Sequence, residues 1–380
     1  MKKKYVLFSI VTLVLLVALI TSFNYFKTTN TYIDDSFNNQ TKITKGISMN
    51  LEQTAGAGDY KTVTRSSWPT EGYNFNAELS RCENGSTLSW DDTKKAVIVS
   101  GNLSDKCYVY FDLARFDETC DGSTLACRIA KQYTGTQGEN SLYYHDSTLT
   151  NGAGDNSYRY AGASNNVNNY ICLGSDATTC PDANLFRIIG VFGDQTKVIR
   201  AKSVGDKEWD TNDSNTWSTS SLNTYLNGEY LTSLGTLADK IATTTWKVGG
   251  GSTTYLYDVP KTAYQYEVGS SASTTTYDAK IGLMYVSDYG FAADQSGWTT
   301  KLSSYNSNKS KNWLNTGKYI EWTLSRNSDN TDNAFGVIST GYVDNYNVTK
   351  SYVVRPSFNL ESSVKYVSGS GSMSGPVRVN

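Results

Sequence analysis

The 380 residues contain few side chains whose type and spacing would support catalysis. The single histidine, His145, lies in the segment YYHD, and any nucleophilic triad would have to be built on it. No G-x-S-x-G elbow lies near it, so a solvated histidine in a loop-rich stretch is the expectation. Glu321 and Asp344 are acids in the same late part of the chain, and a glycosidase pair leaves no local signature. Surface or structural roles are nevertheless the default for both. The triplet Gly249-Gly250-Gly251 lacks the G-K-S/T and following helix of a phosphate loop. Two oxygen-rich segments, Asp210–Asn215 (DTNDSN) and Ser325–Asn333 (SRNSDNTDN), offer the ligands that calcium takes. Neither has EF-hand spacing, and Asn/Asp-rich turns form without an ion. The expectation is a non-enzyme with no catalytic residue, metal or cofactor.

Binding chemistry is better represented. Trp298, Trp313 and Tyr346 are candidate ligand-binding residues, since exposed aromatic rings stack on sugars or anchor a protein partner. Trp322, inside a strand-like run, reads as core. An exposed aromatic patch around Trp298 and Trp313 would favour binding, whereas their burial would favour a structural spacer or scaffold. Two carboxylates facing each other across a cleft would favour a hydrolase. The net charge of -2 and the lack of a basic stripe after residue 4 give no footprint for nucleic acid.

Six cysteines, Cys82, Cys107, Cys120, Cys127, Cys172 and Cys180, allow fifteen pairings. Spacing favours three local bridges, Cys82–Cys107, Cys120–Cys127 and Cys172–Cys180. Zinc is the competing reading, but no C-x-x-C pair exists and there is only one histidine.

The elements that position these residues begin with a membrane segment over residues 1–26. Lys2, Lys3 and Lys4 precede Tyr5–Phe23, a run of 19 residues in which Ser9, Thr12, Thr21 and Ser22 are the only polar ones, close to the ~20 that cross a bilayer core. The cations place the N-terminus in the cytoplasm and the later domains outside. An uncleaved single-pass anchor through residues 5–23 is the expectation, with secretion after signal cleavage as the alternative. The segment is the only attachment the sequence displays, since no wall-anchoring tail follows the Gly/Ser-rich end. A composition with 28 Tyr, 8 Trp and only 4 Met suits β-rich extracellular modules. Residues 27–46 read as a stalk, and 47–112 as a small β-sandwich-like module. Its strand-like runs Ser86–Trp90, Ala96–Ser100 and Lys106–Phe111 are separated by turn chemistry. Residues 113–184 read as a transition, with a short helix within Phe116–Lys131 and an irregular stretch over Gly138–Asn169. In residues 185–366, Leu185–Lys202 predicts a hairpin about Gly193-Asp194. Leu222, Tyr225 and Leu226 predict a helix ending near Gly228. Strands are expected at Lys280–Ser287, Tyr319–Ser325, Ala334–Thr340, Gly341–Asp344 and Tyr352–Asn359. Residues 367–380 read as a Gly/Ser tail. The fold class is mainly β, with an α+β C-terminal domain.

Four segments in fixed order carry a resemblance: NTWSTSSLNTYLNGEYL (Asn215–Leu231), KIGLMYVSDYGFA, EWTLSRNSDNTDNAFGVISTGYV and SYVVRPSFNL. Over roughly residues 185–366 they resemble a domain of unknown function in surface proteins of gut-dwelling Gram-positive bacteria. That domain is similar to the C-type-lectin-like fold shared with formylglycine-generating enzymes and the variable receptors of diversity-generating retroelements. The stretches CENGSTLSW and DKCYVYFD resemble a module repeated in such proteins. The resemblance assigns structural roles to Trp217, Trp322, Arg326 and Arg355, the arginines as buried partners of carboxylates or carbonyls. The late cysteine pair of the oxidase-type relatives is missing, as no Cys follows Cys180. The E-P-N, Q-P-D and W-N-D tripeptides of calcium-dependent sugar binders are missing too. The resulting expectation is a cell-envelope protein that binds a glycan or surface protein through its C-terminal domain.

Overall fold

The computed structural model describes residues 31–33, 46–64, 67–69, 71–102, 105–317 and 319–380. The apolar run Tyr5–Phe23 lies outside them. Among the described residues no helix is long and apolar enough to cross a membrane. The chain is mainly β and divides into two units, Met1–Arg115 and Phe116–Asn380.

In the first unit, alternation sets the core. Cys107, Val109 and Phe111 are buried on strand Cys107–Leu113, while Tyr108 and Tyr110 between them are half-exposed. This strand runs parallel to Ile47–Glu52 and antiparallel to Tyr73–Phe75 and Arg81–Cys82. A second sheet pairs Ala96–Ser100 with Thr87–Asp91 and with Thr31–Ile33. Met49, Leu51, Trp68, Val97, Val99, Val109 and Phe111 form one buried cluster.

All three local bridges form, Cys82–Cys107, Cys120–Cys127 and Cys172–Cys180. The first joins directly opposed residues of adjacent strands.

The second unit is built on a long sheet. Its order is Ser357–Leu360, Gln195–Arg200, Leu185–Phe192, Tyr170–Cys172, Val377–Val379 and Tyr366–Ser368. Strand Ser157–Tyr160 pairs with Leu185–Phe192 on one side and Leu142–His145 on the other. The hairpin about Gly193-Asp194 is present, between Phe192 and Gln195. A second sheet orders Asp206–Glu208, Ser351–Val353, Ile320–Arg326, Asn333–Ile338 and Val343–Asn347. A two-stranded ribbon pairs Thr244–Lys247 with Thr276–Ala279. Helices Pro260–Glu267 and Val286–Phe291 pack against each other.

Four expectations need correction. The Gly138–Asn169 stretch contributes two buried strands of the long sheet, since its Asn and Gly residues mark tight turns while LYYH and SYRY are fully buried. Lys280–Ser287 is not a strand: only Gly282 bridges Ser357, and from Val286 the chain is helical under a capping box of Tyr285 and Asp288. Gly228 does not stop its helix, which widens into a π turn over Leu226–Tyr230 and continues to Ser233. The Gly/Ser tail also returns to the sheet, with Val377–Val379 running parallel to Tyr170–Cys172.

Closing a loop of 25 residues, the Cys82–Cys107 bridge is expected to contribute about 3 kcal/mol. Replacing both cysteines by serine should lower the unfolding free energy of the first unit by that amount, read as a lower urea midpoint. The transition of the second unit should stay in place, as read by fluorescence and far-UV dichroism.

Candidate functional site

One cross-strand row supplies the floor of a cleft in the second unit. In register, Tyr143 opposes Arg159, Arg159 opposes Gly190, Gly190 opposes Lys197, and Lys197 opposes Asn359. Directly opposed residues share a face, so Arg159, Lys197 and Asn359 stand side by side around a glycine. Gly190 is required there, because an added Cβ would lie 2.2 Å from the Tyr158 carbonyl oxygen.

Over this floor sits the start of helix Val286–Phe291. Asp288 Oδ2 accepts from Lys197 Nζ at 2.5 Å and from the Tyr285 backbone N–H at 2.9 Å. Arg159 reaches Asp288 at 3.5 Å, Asp155 at 2.6 Å and Ser157 Oγ at 2.7 Å. The side chains of Arg159, Lys197 and Asp288 are 3%, 6% and 3% exposed, and that of Asp155 is 17% exposed at the edge. Rings complete the walls. The Lys197 ammonium lies 4.6 Å from the Tyr285 ring centre, 5.4 Å from Trp246 and 5.6 Å from Phe192. The Arg159 guanidinium lies 4.6 Å from Phe192 and 5.4 Å from Tyr264. Such contacts offset part of the cost of burying a cation.

The enclosed space is a cleft of about 270 Å³, rimmed by Gly193, Thr244, Thr245, Lys247, Val268 and Asn359. Asn359 donates to Thr244 Oγ1 at 3.0 Å, and its Oδ1 has no protein partner. A lysine ammonium carries three N–H donors and a guanidinium five. Lys197 spends one on Asp288, and Arg159 spends three on Ser157, Asp155 and Asp288. The cleft therefore combines aromatic walls with buried donors in excess of their protein acceptors.

Behind the wall, Glu267 holds the same turn from the other side. It accepts from the N–H groups of Val286 at 3.0 Å and Ser287 at 2.9 Å, and from the Ser325 hydroxyl. Burial pushes its carboxyl up to about 7, against these hydrogen bonds, which pull it down. It does not line the cleft. At the edge, burial raises the Asp155 carboxyl, but the Arg159 charge and hydrogen bonds outweigh it and hold it below the usual range. Asp155 and Asp288 do share the cleft, yet both are tied to one guanidinium. The carboxyl raised towards neutrality is off the wall, so the arrangement lacks the acid–base division of a hydrolytic pair.

The residues singled out from sequence lie elsewhere. Trp298, a candidate ligand-binding residue if exposed, is fully buried against Tyr143, His145 and Phe291, and donates to the Ala293 carbonyl at 2.9 Å. Trp313 is 2% exposed, donates to the Tyr160 carbonyl and stacks under Arg187. Neither offers a surface platform, because each ring is consumed in packing and each indole N–H in satisfying a carbonyl. Tyr346 is half-buried with its ring edge against Tyr352, away from the cleft lining. His145 is not a solvated loop residue. It is buried on strand Leu142–His145, its Nδ1 accepts from the Ala153 N–H, and burial together with the Arg159 charge lowers it to about 3.

Glu321 and Asp344 do not face each other. Glu321 is in register with Val337 and Val343, while Asp344 is in register with Gly336 and Trp322, on the opposite face. Glu321 pairs with Arg355 at 2.7 Å, and Arg355 also donates to the Leu314 carbonyl. Asp344 accepts from the Tyr257 hydroxyl. Arg326 donates to the Gly249 carbonyl and to Asn215 Oδ1. The glycine triplet thus abuts the end of a strand: at Gly250, with φ +63°, a Cβ would strike the Arg326 carbonyl. Trp217 packs edge-on against Trp209, and Trp322 donates to the Lys207 carbonyl. The oxygen-rich loops are stitched to each other, with Asn215 Nδ2 donating to the carbonyls of Asn327, Asn330 and Asn333. Among the described residues no three His, Cys, Asp or Glu side chains gather as a metal site.

Sequence reasoning missed Asp155, Arg159, Lys197, Trp246, Glu267 and Asp288. A signal did exist. Arg187 and Lys197 interrupt apolar runs in a strand pair buried on both faces, where a charge must find a partner.

Comparison with known proteins gives one match. Residues 193–362 carry a domain of unknown function, DUF6273. No curated protein and no solved structure matches. Lys197, Trp246, Tyr285, Asp288 and Asn359 fall inside the matched span, whereas Asp155 and Arg159 precede it. The cleft is therefore shared between the DUF6273 domain and the strands before it.

Glu267 makes the site sensitive to pH. Its folded carboxyl is harder to ionise than in the unfolded chain, so the folded state holds an extra proton between about pH 4.5 and 7. Its contribution therefore falls as pH rises through that window. Buried His145 acts oppositely, weakening the fold as pH drops below its usual range. The difference between variants isolates Glu267. Relative to the wild type, Glu267→Gln should gain about 2–3 kcal/mol between pH 5 and 8 in urea denaturation.

Proposed function

We propose that the unit Phe116–Asn380 is a carbohydrate-binding domain of an exported, membrane-anchored surface protein, holding a single sugar ring in the Arg159–Lys197 cleft. The observation that carries this reading is the combination of Phe192, Trp246, Tyr264 and Tyr285 walls with buried cations that retain unspent N–H donors. A sugar needs both, since its C–H face packs on rings and its hydroxyls need charged or amide partners. At about 270 Å³ the cleft sits just below the ~300–1,000 Å³ of small-molecule sites, which fits one ring rather than a chain.

Export is supported by the Lys2–Lys4 cations before Tyr5–Phe23 and by three disulfides, which persist in oxidising compartments. In this reading Tyr5–Phe23 anchors the chain with its N-terminus in the cytoplasm. The DUF6273 domain is then a distant relative of the C-type-lectin-like fold, on the strength of its motif order. Its sugar site differs from that of calcium-dependent lectins, since the E-P-N and Q-P-D tripeptides are missing. Taken alone, the burial of Trp298 and Trp313 favours a spacer, and it is the cleft that favours binding.

A glycan and mucin array probed with residues 27–380 tests the reading. Binding is expected to persist in EDTA and to disappear in Thr244→Trp, which sets a bulky ring at the half-buried rim on the Trp246 face of its strand, in protein that thermal melting shows to be folded. A protein that binds no glycan on the array would refute it.

A further inference from the structure

The buried charges on the cleft floor balance, with Lys247 a third cation at the rim. Two cations, Arg159 and Lys197, face two carboxylates, Asp155 and Asp288, for a formal sum of zero. They alternate in space: Arg159 touches both acids, and Lys197 touches Asp288. Lys247 stands at the rim, half-buried, where solvent screens it. Glu267 lies behind the wall, with its oxygens spent on Val286, Ser287 and Ser325.

We infer that the cleft selects an uncharged sugar ring and discriminates against both acidic and amino sugars. The inference rests on the carbohydrate reading above. A hydroxyl donates one hydrogen bond and accepts two, so a single group can take an N–H from Lys197 or Arg159 and give its own proton to Asp288 or Asp155. It does so without separating the ion pairs already formed. A ligand carboxylate has only acceptors. Entering this space, it would meet Asp155 or Asp288 whichever cation it approached, in surroundings where water screens little. An ammonium meets the mirror problem, because each carboxylate stands next to Arg159 or Lys197. The neutral ring is the species that uses the spare N–H groups and adds no unpaired charge. The unpartnered Oδ1 of Asn359, beside Lys197 in the sheet, supplies a further neutral acceptor.

Saturation-transfer NMR on the full chain, with matched sets of neutral hexoses, their uronic acids and their 2-amino forms, tests this. At least one neutral hexose should bind about tenfold or more tighter than both of its charged counterparts. Asp155→Asn, at the partly exposed edge, leaves the buried floor with one excess positive charge and should shift preference towards the uronic acid. Thermal melting reports that this variant is folded. If it does not fold, the salt dependence of the wild type decides: neutral binding should be flat between low and high salt. Equal or tighter binding of a uronic acid or an amino sugar to the wild type overturns the selectivity and leaves the carbohydrate reading standing. Binding by no sugar in any set overturns both.

Discussion

Burying Lys197 beside Asp288 takes two charges out of water, at an effective cost of several kcal/mol for each ion. The second unit is arranged around meeting that cost. The ammonium is enclosed by Tyr285, Trp246 and Phe192, while Asp288 receives Arg159 and the Tyr285 N–H as well. These contacts pin the first turn of helix Val286–Phe291 over the middle of the long sheet. Glu267 clamps the same turn from helix Pro260–Glu267 through two backbone N–H groups. Helix, ribbon and sheet are therefore joined at one ionic point, and the cleft opens beside it.

Much of the frame was legible in the sequence. Turn chemistry located the Gly193-Asp194 hairpin, alternation located strand Cys107–Leu113, and short spacing located the three bridges. Each is a local property. The site was not legible, because its parts come from residues 155 to 359: Arg159, Lys197 and Asn359 meet through register across three strand pairings, and the ribbon and two helices bring the rest. The misreading of Lys280–Ser287 has the same origin. GLMYV is as apolar as any strand, and helix begins only because Asp288 and Glu267 supply caps that lie three residues on and one helix away. The burial of Trp298 was not legible either, because its neighbours in sequence are Ser, Gly and Thr. The backbone there is polar, but the indole points into a cluster with Tyr143, Phe291 and His145.

The unusual composition has a structural reason beyond strand propensity. Many elements of the second unit are short helices and irregular connections, which leave backbone carbonyls without regular partners. Aromatic and amide side chains answer them. The Tyr289 hydroxyl donates to the Gly341 carbonyl, Tyr305 to Gly290, and the indoles of Trp246 and Trp298 to Ala279 and Ala293. Asn312 donates to the Tyr289 carbonyl and Asn169 to that of Ile188. Leu or Met would fill the same volume and leave those oxygens unsatisfied, at about 1–3 kcal/mol for each buried group.

That bonding pattern bears on the cleft. A weakly held loop could re-pair Lys197 and Arg159 with backbone oxygens and consume the N–H groups that a ligand would use. Here the nearby carbonyls are already engaged: Ala279 takes Trp246, and Lys247 takes the Tyr285 hydroxyl. The ring faces that enclose the ammonium belong to the same side chains whose polar ends secure the walls. One set of residues thus fixes the backbone and shapes the cage around the two cations. Preorganisation of this kind would limit the ordering cost of binding a small polar ligand, the step on which the proposed carbohydrate reading depends.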